Sequence, residues 1–541
     1  MDREINIDSI RALEGQIKDH ERAVIRLKRV RNSLLNVSRL PPEVLSKIFL
    51  RNVAPKSAFD GLDEGSHNFL LVCHHWFEVA SGTPDLWSFW GNTPKDWARR
   101  YHLSGTTSLD LVLNDVGHEH EDYFDATLRN ALQDRAARDT IRRIHLMAED
   151  PEFLSSVIAS LTADCEEPQS NGMVSVILWS QNATPVDVSD FFSHYRFPKL
   201  QRLCLTNCTI TSWDYLMSRT SALTALRLDF RHPSPTPTTS QLLSILSSNP
   251  SLQRLSLVKC AIPDSFGHES STRVQLHHLK ELRLEGDLPH VFRLLDHLDH
   301  PRCMDRLSLT LYNSDIADIS QTTGPYLRDY LRRRDGHQDR LCLRVSSGNP
   351  TGYRGGHIDF QAGDAGELDL SAPEWERVGV FIAIVMLFKW TPHKNAIEKA
   401  ALDLTTYAPL EEVVYLHTHN NTAAMEDLNV RFQNLKTLTF HMVPLDTAFR
   451  NPNMIADRYT FPSLENISLG CVDVDTCGWS PLKTFLACRV SSGNRLDTLQ
   501  ITDSPHMCQE LMEDIRGMVR ELKVHRPHSV WLFGTCPTIP D

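Results

Sequence analysis

No apolar stretch in these 541 residues is long enough to cross a bilayer. The longest, Val378 to Phe388, has 11 residues between Arg377 and Lys389, against the roughly 18 to 20 that a membrane helix needs. It reads as a buried strand or helix segment. Basic charge is outnumbered: 56 Lys and Arg face 68 Asp and Glu, for a net charge of −12. That balance argues against a surface tracking nucleic-acid phosphates. Cysteine, at 12 residues, is in ordinary supply, with no excess that would mark a disulfide framework, and Met1-Asp2-Arg3-Glu4 lacks the basic flank and apolar run of a secretory signal. Reduced thiols in an intracellular protein, cytoplasmic or nuclear, are expected. Glycine (24) and proline (29) are too few for a collagen-like chain, and 41% hydrophobic content excludes an acidic disordered one.

Catalytic signatures are also missing. There is no Gly-x-Ser-x-Gly elbow, no Gly-Lys-Ser/Thr phosphate loop and no His-Glu-x-x-His helix. The glycine-rich run from Gly348 to Gly356 has no lysine to reach a phosphate and reads as a surface loop, as does Pro233 to Pro237. Cys471 and Cys477 have no second pair to complete a zinc site. Cys73-His74-His75 reads as a buried thiol beside two exposed imidazoles, and His118-Glu119-His120-Glu121 as a solvated loop. A protein without catalytic residues, cofactor or metal is expected.

What is present begins with a charged helix. Ile10, Ile17, Val24 and Arg31 share one heptad position, and Leu13, His20, Leu27 and Leu34 the other. Six of these eight are apolar, and no proline precedes Pro41. Weak self-association through this seam, docking against the chain's own body and a solvated helix all remain open, because so short a heptad run is marginal alone.

The next stretch, Leu40-Pro41-Pro42-Glu43-Val44-Leu45-Ser46-Lys47-Ile48-Phe49, places prolines where a helix starts without losing hydrogen bonds and a carboxylate in its first turn. Further on, Phe69, Val72, Cys73, Trp76, Val79 and Ala80 fall on one helical face, followed by Pro84-Asp85-Leu86-Trp87. Some 50 residues do not bury so many apolar groups unaided, which points to a partner surface.

This pattern resembles an F-box, and with the preceding charged helix it is similar to the F-box-like proteins abundant in mushroom-forming fungi. The resemblance covers about 50 of 541 residues. It implies docking onto a Skp-type adaptor and, through it, a cullin and the ubiquitin-conjugating machinery. Leu40, Pro41, Pro42, Val44, Ile48 and Phe49 match its first docking helix, Val72, Cys73 and Trp76 the second, and Leu86 and Trp87 the closing turn. The stretch from Arg51 to His67 is longer than in compact examples, and Leu70 and Leu71 replace residues commonly polar there.

From residue 106 onward a spaced apolar triplet recurs: one residue, then a second three positions on, then a third two further. It appears as Ile141/Ile144/Leu146, Met173/Val176/Leu178, Leu200/Leu203/Leu205, Leu223/Leu226/Leu228, Leu252/Leu255/Leu257, Leu279/Leu282/Leu284 and Met304/Leu307/Leu309. It resumes at Leu435/Leu438/Phe440, Leu464/Ile467/Leu469, Leu496/Leu499/Ile501 and Val519/Leu522/Val524. Starts in the first group lie 23 to 32 residues apart, close to the roughly 20 to 29 of leucine-rich repeats. Cys208 and Cys260 stand where that repeat takes Asn or Cys. Weaker copies lie around Leu341/Leu343, Leu368/Leu370 and Leu402/Leu404. Gln241 to Leu246 and His290 to Leu295 read as returning helices.

The expected fold is α/β: an N-terminal helix over 1–37, a small all-α F-box over 38–92, and an irregular leucine-rich-repeat solenoid of parallel strands over 93–541 with insertions around 310–430. Residues between the buried leucines line one face and are candidates for binding a target protein. They include Arg202, Arg227, Asp229, Arg254, Arg283, Glu285 and Arg306, whose guanidiniums suit carboxylate or phosphate groups. Together these readings predict a substrate receptor of an SCF-type ubiquitin ligase, against a repeat scaffold or binding protein with no ubiquitin role.

Overall fold

A computed structural model describes residues 7–35, 39–53, 64–90, 102–105, 107–114, 129, 132–163, 169–170, 172–182, 184–230, 236–259, 262, 273–299, 301, 304–314, 319–332, 341–348, 357–364, 379–388, 413–419, 434–441, 449, 461–470, 479–502 and 509–525. The chain is α/β and divides into two compact units, Met1–Asn249 and Pro250–Asp541.

The first unit opens on helix α1 (Ile7–Ser33) and α2 (Pro42–Val53), then a 3-10 helix at Glu64–Leu71 and α3 (His74–Ser81). Six strands of the main sheet follow: β1 (Phe89–Trp90), β2 (Leu109–Asn114), β3 (Ile141–Ala148), β4 (Ser175–Ser180), β5 (Arg202–Thr206) and β6 (Ala225–Phe230). Each is parallel to the next. Their register brings Leu111, Ile144, Val176, Leu203 and Leu226 into one row, and Leu113, Leu146, Leu178, Leu205 and Leu228 into a second. Both rows are buried. Alternation within each strand sends these residues to the same side, so one strand's leucines complete the core that its neighbour's begin.

The returning segments cover that core. The helix Pro151–Thr162 starts where Asp150 accepts from the Glu152 N–H and Pro151 takes the first turn. The helix Thr239–Ser247 starts on a capping box between Thr238 and Gln241 and buries Leu242, Leu243, Ile245 and Leu246. Asn207, at φ 51, takes the left-handed conformation that asparagine tolerates. Its buried side chain donates to the carbonyls of Ser180 and Asn182 at 3.2 and 3.1 Å. Cys208 beside it is fully buried and donates to the Thr206 and Leu178 carbonyls. Cys260 lies outside the described residues.

The second unit begins with three parallel strands, β7 (Arg254–Lys259), β8 (Glu281–Asp287) and β9 (Arg306–Ser314). Between β8 and β9 the helix Leu288–His297 buries Val291, Phe292, Leu294 and Leu295. Three strands then form a meander: β10 (Leu341–Gly348), β11 (His357–Asp364) and β12 (Gly379–Phe388). β11 is antiparallel to both of its neighbours. The meander is spliced in reverse, with β12 against β9 and β10 against the following strand, β13 (Val413–His419), both parallel. An odd number of strands is what allows this, since the first and third of a meander run the same way. Parallel pairing continues through β14 (Thr437–His441), β15 (Asn466–Gly470), β16 (Thr498–Thr502) and β17 (Glu521–His525).

Several expectations meet their outcome here. The run at Val378 to Phe388 is a strand from Gly379. The region expected to hold insertions carries the meander, and Leu341/Leu343 lie on β10. Leu368/Leu370, Leu402/Leu404, the loops at 349–356 and 233–235, and His118 to Glu121 lie outside the described residues, as do Cys471 and Cys477. In the last triplet copy Val519 is buried but Leu522 is half-buried and Val524 exposed, because β17 is paired on one side only among the described strands. No helix among the described residues is long and apolar enough to cross a membrane.

Candidate functional site

The helical module after α1 is built around Leu45 and Phe49, one turn apart on α2 and both 0% exposed. Pro41 accepts the first helical bonds from the N–H groups of Val44 and Leu45, and Pro42 takes the first helical position, where its missing N–H costs nothing. Phe49 stacks on Phe69 with ring centroids 4.5 Å apart and planes 9° from parallel, and meets Trp76 at 5.1 Å. Val79, Ala80, Leu86 and Trp87 complete the cluster, with Leu40, Leu50, Leu70 and Trp76 packed partly against it. A polar relay ties α2 to the end of α3. The Ser46 hydroxyl donates to the Pro42 carbonyl or to Thr83 Oγ1, 2.8 Å away, and Thr83 donates to the Val79 carbonyl.

The opposite edge of α2 is uncovered. Val44 and Ile48, each one position before a core residue, are 41% exposed. Their helical spacing of four keeps them on one face. Leu71 and Val72 are 85% and 52% exposed, and Phe77 on α3 is also open. Pro41 and Pro42 are exposed, whereas Leu40, Cys73 and Trp76 are half-buried. The Trp76 indole N–H is enclosed by protein with no hydrogen-bond partner, a deficit that costs about 1–3 kcal/mol in a finished core.

Three expectations are corrected. Phe69 to Ala80 is not one helical face: the 3-10 helix ends at Leu71, and Cys73 caps α3 in extended conformation at φ −163 and ψ 168. The break at Val72 and Cys73 leaves Val72 exposed while Phe69 reaches Phe49. Phe49, Leu86 and Trp87 lie inside the module's own core, where another protein does not reach them without opening it. His74 is exposed as expected, but Cys73 is half-buried rather than buried and His75 half-buried rather than open.

The second set of candidates lies on the strands. In the first unit Arg227 pairs with Asp229 two residues on, at 3.2 Å, and Arg202 sits beside Ser175 and Ala225 in register. Arg143 on β3 pairs with Asp110 on β2. This face also carries His145, whose Nε2 lies 2.9 Å from Ser175 Oγ. Burial, aided by the charges of Arg202 and Arg143, lowers its pKa to about 4. Cys204 on the same face is buried, which raises its thiol pKa. In the second unit Arg283 pairs with Glu285 at 3.3 Å, and Tyr312 donates to the same carboxylate. Glu285 is therefore a buried anchor rather than an open contact.

Arg254 and Arg306 remain exposed, and the register sets exposed Glu281 between them. Glu281 was not among the sequence candidates; the triplet spacing places it one residue before Leu282 on the same rung as Arg254 and Arg306, and that was the available signal. Along β14 to β16 the corresponding positions are uncharged: Thr437, Asn466 and Thr498 in one row, Thr439, Ser468 and Gln500 in the next. Among the described residues no three His, Cys, Asp or Glu side chains converge as metal ligands would.

No family model matches this chain, and no curated protein is significantly similar to it.

Proposed function

We propose that this chain is a non-catalytic substrate receptor of an SCF-type ubiquitin ligase, in which residues 38–92 dock onto a Skp-type adaptor and a leucine-rich-repeat-like solenoid over 93–541 holds a target protein. The observation that carries this reading is the division of α2, with Leu45 and Phe49 buried while Val44 and Ile48 lie open. A module that folds on its own core and still exposes apolar side chains at helical spacing has a face for a second protein. The ordered Leu-Pro-Pro-Glu-Val-Leu, Val-Cys and Pro-Asp-Leu-Trp elements favour a Skp-type adaptor as that protein. In-register parallel leucine rows support a solenoid, whose open strand positions then offer the target surface. The receptor acts by proximity, raising the effective concentration of a target lysine near a charged conjugating enzyme.

A repeat scaffold with no ubiquitin role is the second reading. It is favoured by the burial of Phe49, Leu86 and Trp87, which lets the module stand without a partner. Co-purification of the full chain with a Skp-type adaptor separates the two. Wild type is expected to retain the adaptor, and Val44→Asp with Ile48→Asp to lose it, as is Leu40→Ala with Pro41→Ala. A wild-type chain that retains no adaptor, or an aspartate variant that retains it fully, rejects the receptor reading.

A further inference from the structure

Helix α1 carries an apolar seam that no described part of the chain covers. Every residue from Ile10 to Arg31 is exposed, although Ile10, Leu13, Ile17, Val24, Leu27 and Leu34 recur at heptad spacing. A helix draws most of its stability from packing an apolar face rather than from propensity, so a seam along a 27-residue helix is an interaction surface.

Its charge is divided along its length. Asp8, Glu14, Asp19 and Glu21 share the first part with Arg11, Lys18 and Arg22, whereas Arg26, Lys28, Arg29 and Arg31 follow with no acid among them. The helix dipole favours cations only within the last turn. Arg26, Lys28 and Arg29 lie before it.

We propose that α1 docks a second copy of this chain in antiparallel orientation, about a two-fold axis at Arg22. In a parallel pair each seam layer joins a residue to itself. Arg31 would then face Arg31 and His20 face His20, and two acid-free cationic segments would run side by side within a Debye length of about 8 Å. The antiparallel register instead sets Ile10 against Leu34, Leu13 against Arg31, Ile17 against Leu27 and His20 against Val24, each repeated by symmetry. Every seam position is used, and neither polar residue meets its own kind. Arg31 lays its aliphatic stem over Leu13 and carries its charge out to water.

The flanking positions agree. On one side of the seam Lys28 of one copy falls between Glu14 and Glu21 of the other, and these four acid–base contacts outnumber the one like-charge approach, Glu21 to Glu21 at the axis. The other side holds Gln16, Ala23 and Val30, which carry no charge. The acid–base contacts across the seam are therefore specific to the antiparallel arrangement. This inference does not rest on the adaptor reading; where both hold, one assembly presents two adaptor-docking modules.

Sedimentation of the full chain over a concentration series is the test. Wild type associates, and Leu13→Asp with Ile17→Asp is a monomer that still retains the adaptor. Lys28→Glu alone, and Glu14→Lys with Glu21→Lys, each weaken association by well over tenfold, since the acid–base contacts across the seam turn from attractive to repulsive. Mixing these two variants restores it, because their reversed charges are complementary only across an antiparallel pair. A monomeric wild type overturns the proposal, as does a dimer that the seam variant leaves intact. A mixture associating no better than its components overturns the orientation. Adaptor capture is read separately, so its failure leaves this result standing.

Discussion

Trp87 donates its indole N–H to the carbonyl of Ala80 at 2.8 Å, closing the C-terminal end of α3 with a buried side chain from the turn that follows. The last carbonyls of a helix have no intrahelical donor, and here Ala80 accepts from the Thr83 N–H at 3.1 Å and from a ring that also fills the module core. The Pro84-Asp85-Leu86 turn returns the chain for that contact, held by the Leu86 and Trp87 N–H groups on the carbonyls of Thr83 and Pro84.

Trp87→Phe keeps most of the apolar volume and removes the donor. A loss of about 0.5–1.5 kcal/mol of local stability is expected, and Trp87→Ala should cost about 3–5 kcal/mol through the cavity it opens. Hydrogen exchange over residues 42–87 reads both. Equal protection in wild type and Trp87→Phe would show that the bond contributes nothing.

Neighbours on α2 should separate folding from binding. Phe49→Ala empties the stack on Phe69 and Trp76, and about 3–5 kcal/mol of stability goes with it. Ile48→Asp replaces a half-open side chain and should change stability by no more than about 1 kcal/mol, while adaptor retention falls at least as far as in Phe49→Ala. Protection from protease over the module, scored beside co-purification, distinguishes the two outcomes.

His145 makes the first unit's stability depend on pH. Its pKa falls from 6.5 to about 4 in the fold, chiefly through burial and then through Arg202 and Arg143. The unfolded chain therefore takes up the proton first. Stability contributed by the neutral ring is present above pH 6.5, is lost as pH falls, and levels off near pH 4, a total of roughly 3 kcal/mol. His145→Gln should flatten that slope between pH 6.5 and 4 in thermal melts compared with wild type. An unchanged slope would place the linkage elsewhere.

Arg489 is the corresponding anchor of the second unit. Its guanidinium, buried on the helix Ser480–Ser491, donates to the carbonyls of Phe461, Leu464 and Asn494 at 3.1, 2.7 and 2.9 Å. Burial lowers its pKa to about 10, which leaves it charged at neutral pH. Arg489→Met fits the space but strands the Leu464 and Asn494 carbonyls at about 1–3 kcal/mol each where water does not replace the donor, while the Phe461 carbonyl keeps the Leu464 N–H. Faster exchange of amides in β15 and β16 is the expected signature, with Arg489→Lys intermediate.

Legibility followed the period of the pattern. The triplets were readable because a strand alternates faces at every residue, so Leu203 and Leu205 must share a side whatever they pack against. Their neighbours Val176 and Leu178 obey the same rule, and equal spacing makes register the cheapest way to bury both. The meander was not readable, because β11 runs against the ladder and nothing in His357 to Asp364 marks strand direction. The site was half legible. Leu40 to Phe49 announced an amphipathic helix, yet Val44 and Leu45 are both apolar, and adjacent residues on a helix differ by about 100° in direction. Which of them meets solvent depends on where Phe69 and Trp87 arrive.

The amino-acid sequence by itself determined that this protein would have a charged heptad helix, a small helical module opening on Leu40-Pro41-Pro42, and parallel strands with leucines on one side. Each follows from a local period that no distant residue has to supply. Only the tertiary structure decided that Phe49, Leu86 and Trp87 turn inward while Val44, Ile48 and Val72 stay out, and that Tyr312 reaches Glu285 from the neighbouring strand. Those outcomes depend on contacts between side chains brought together by folding, and a pattern read along one strand or helix carries no information about what packs across from it.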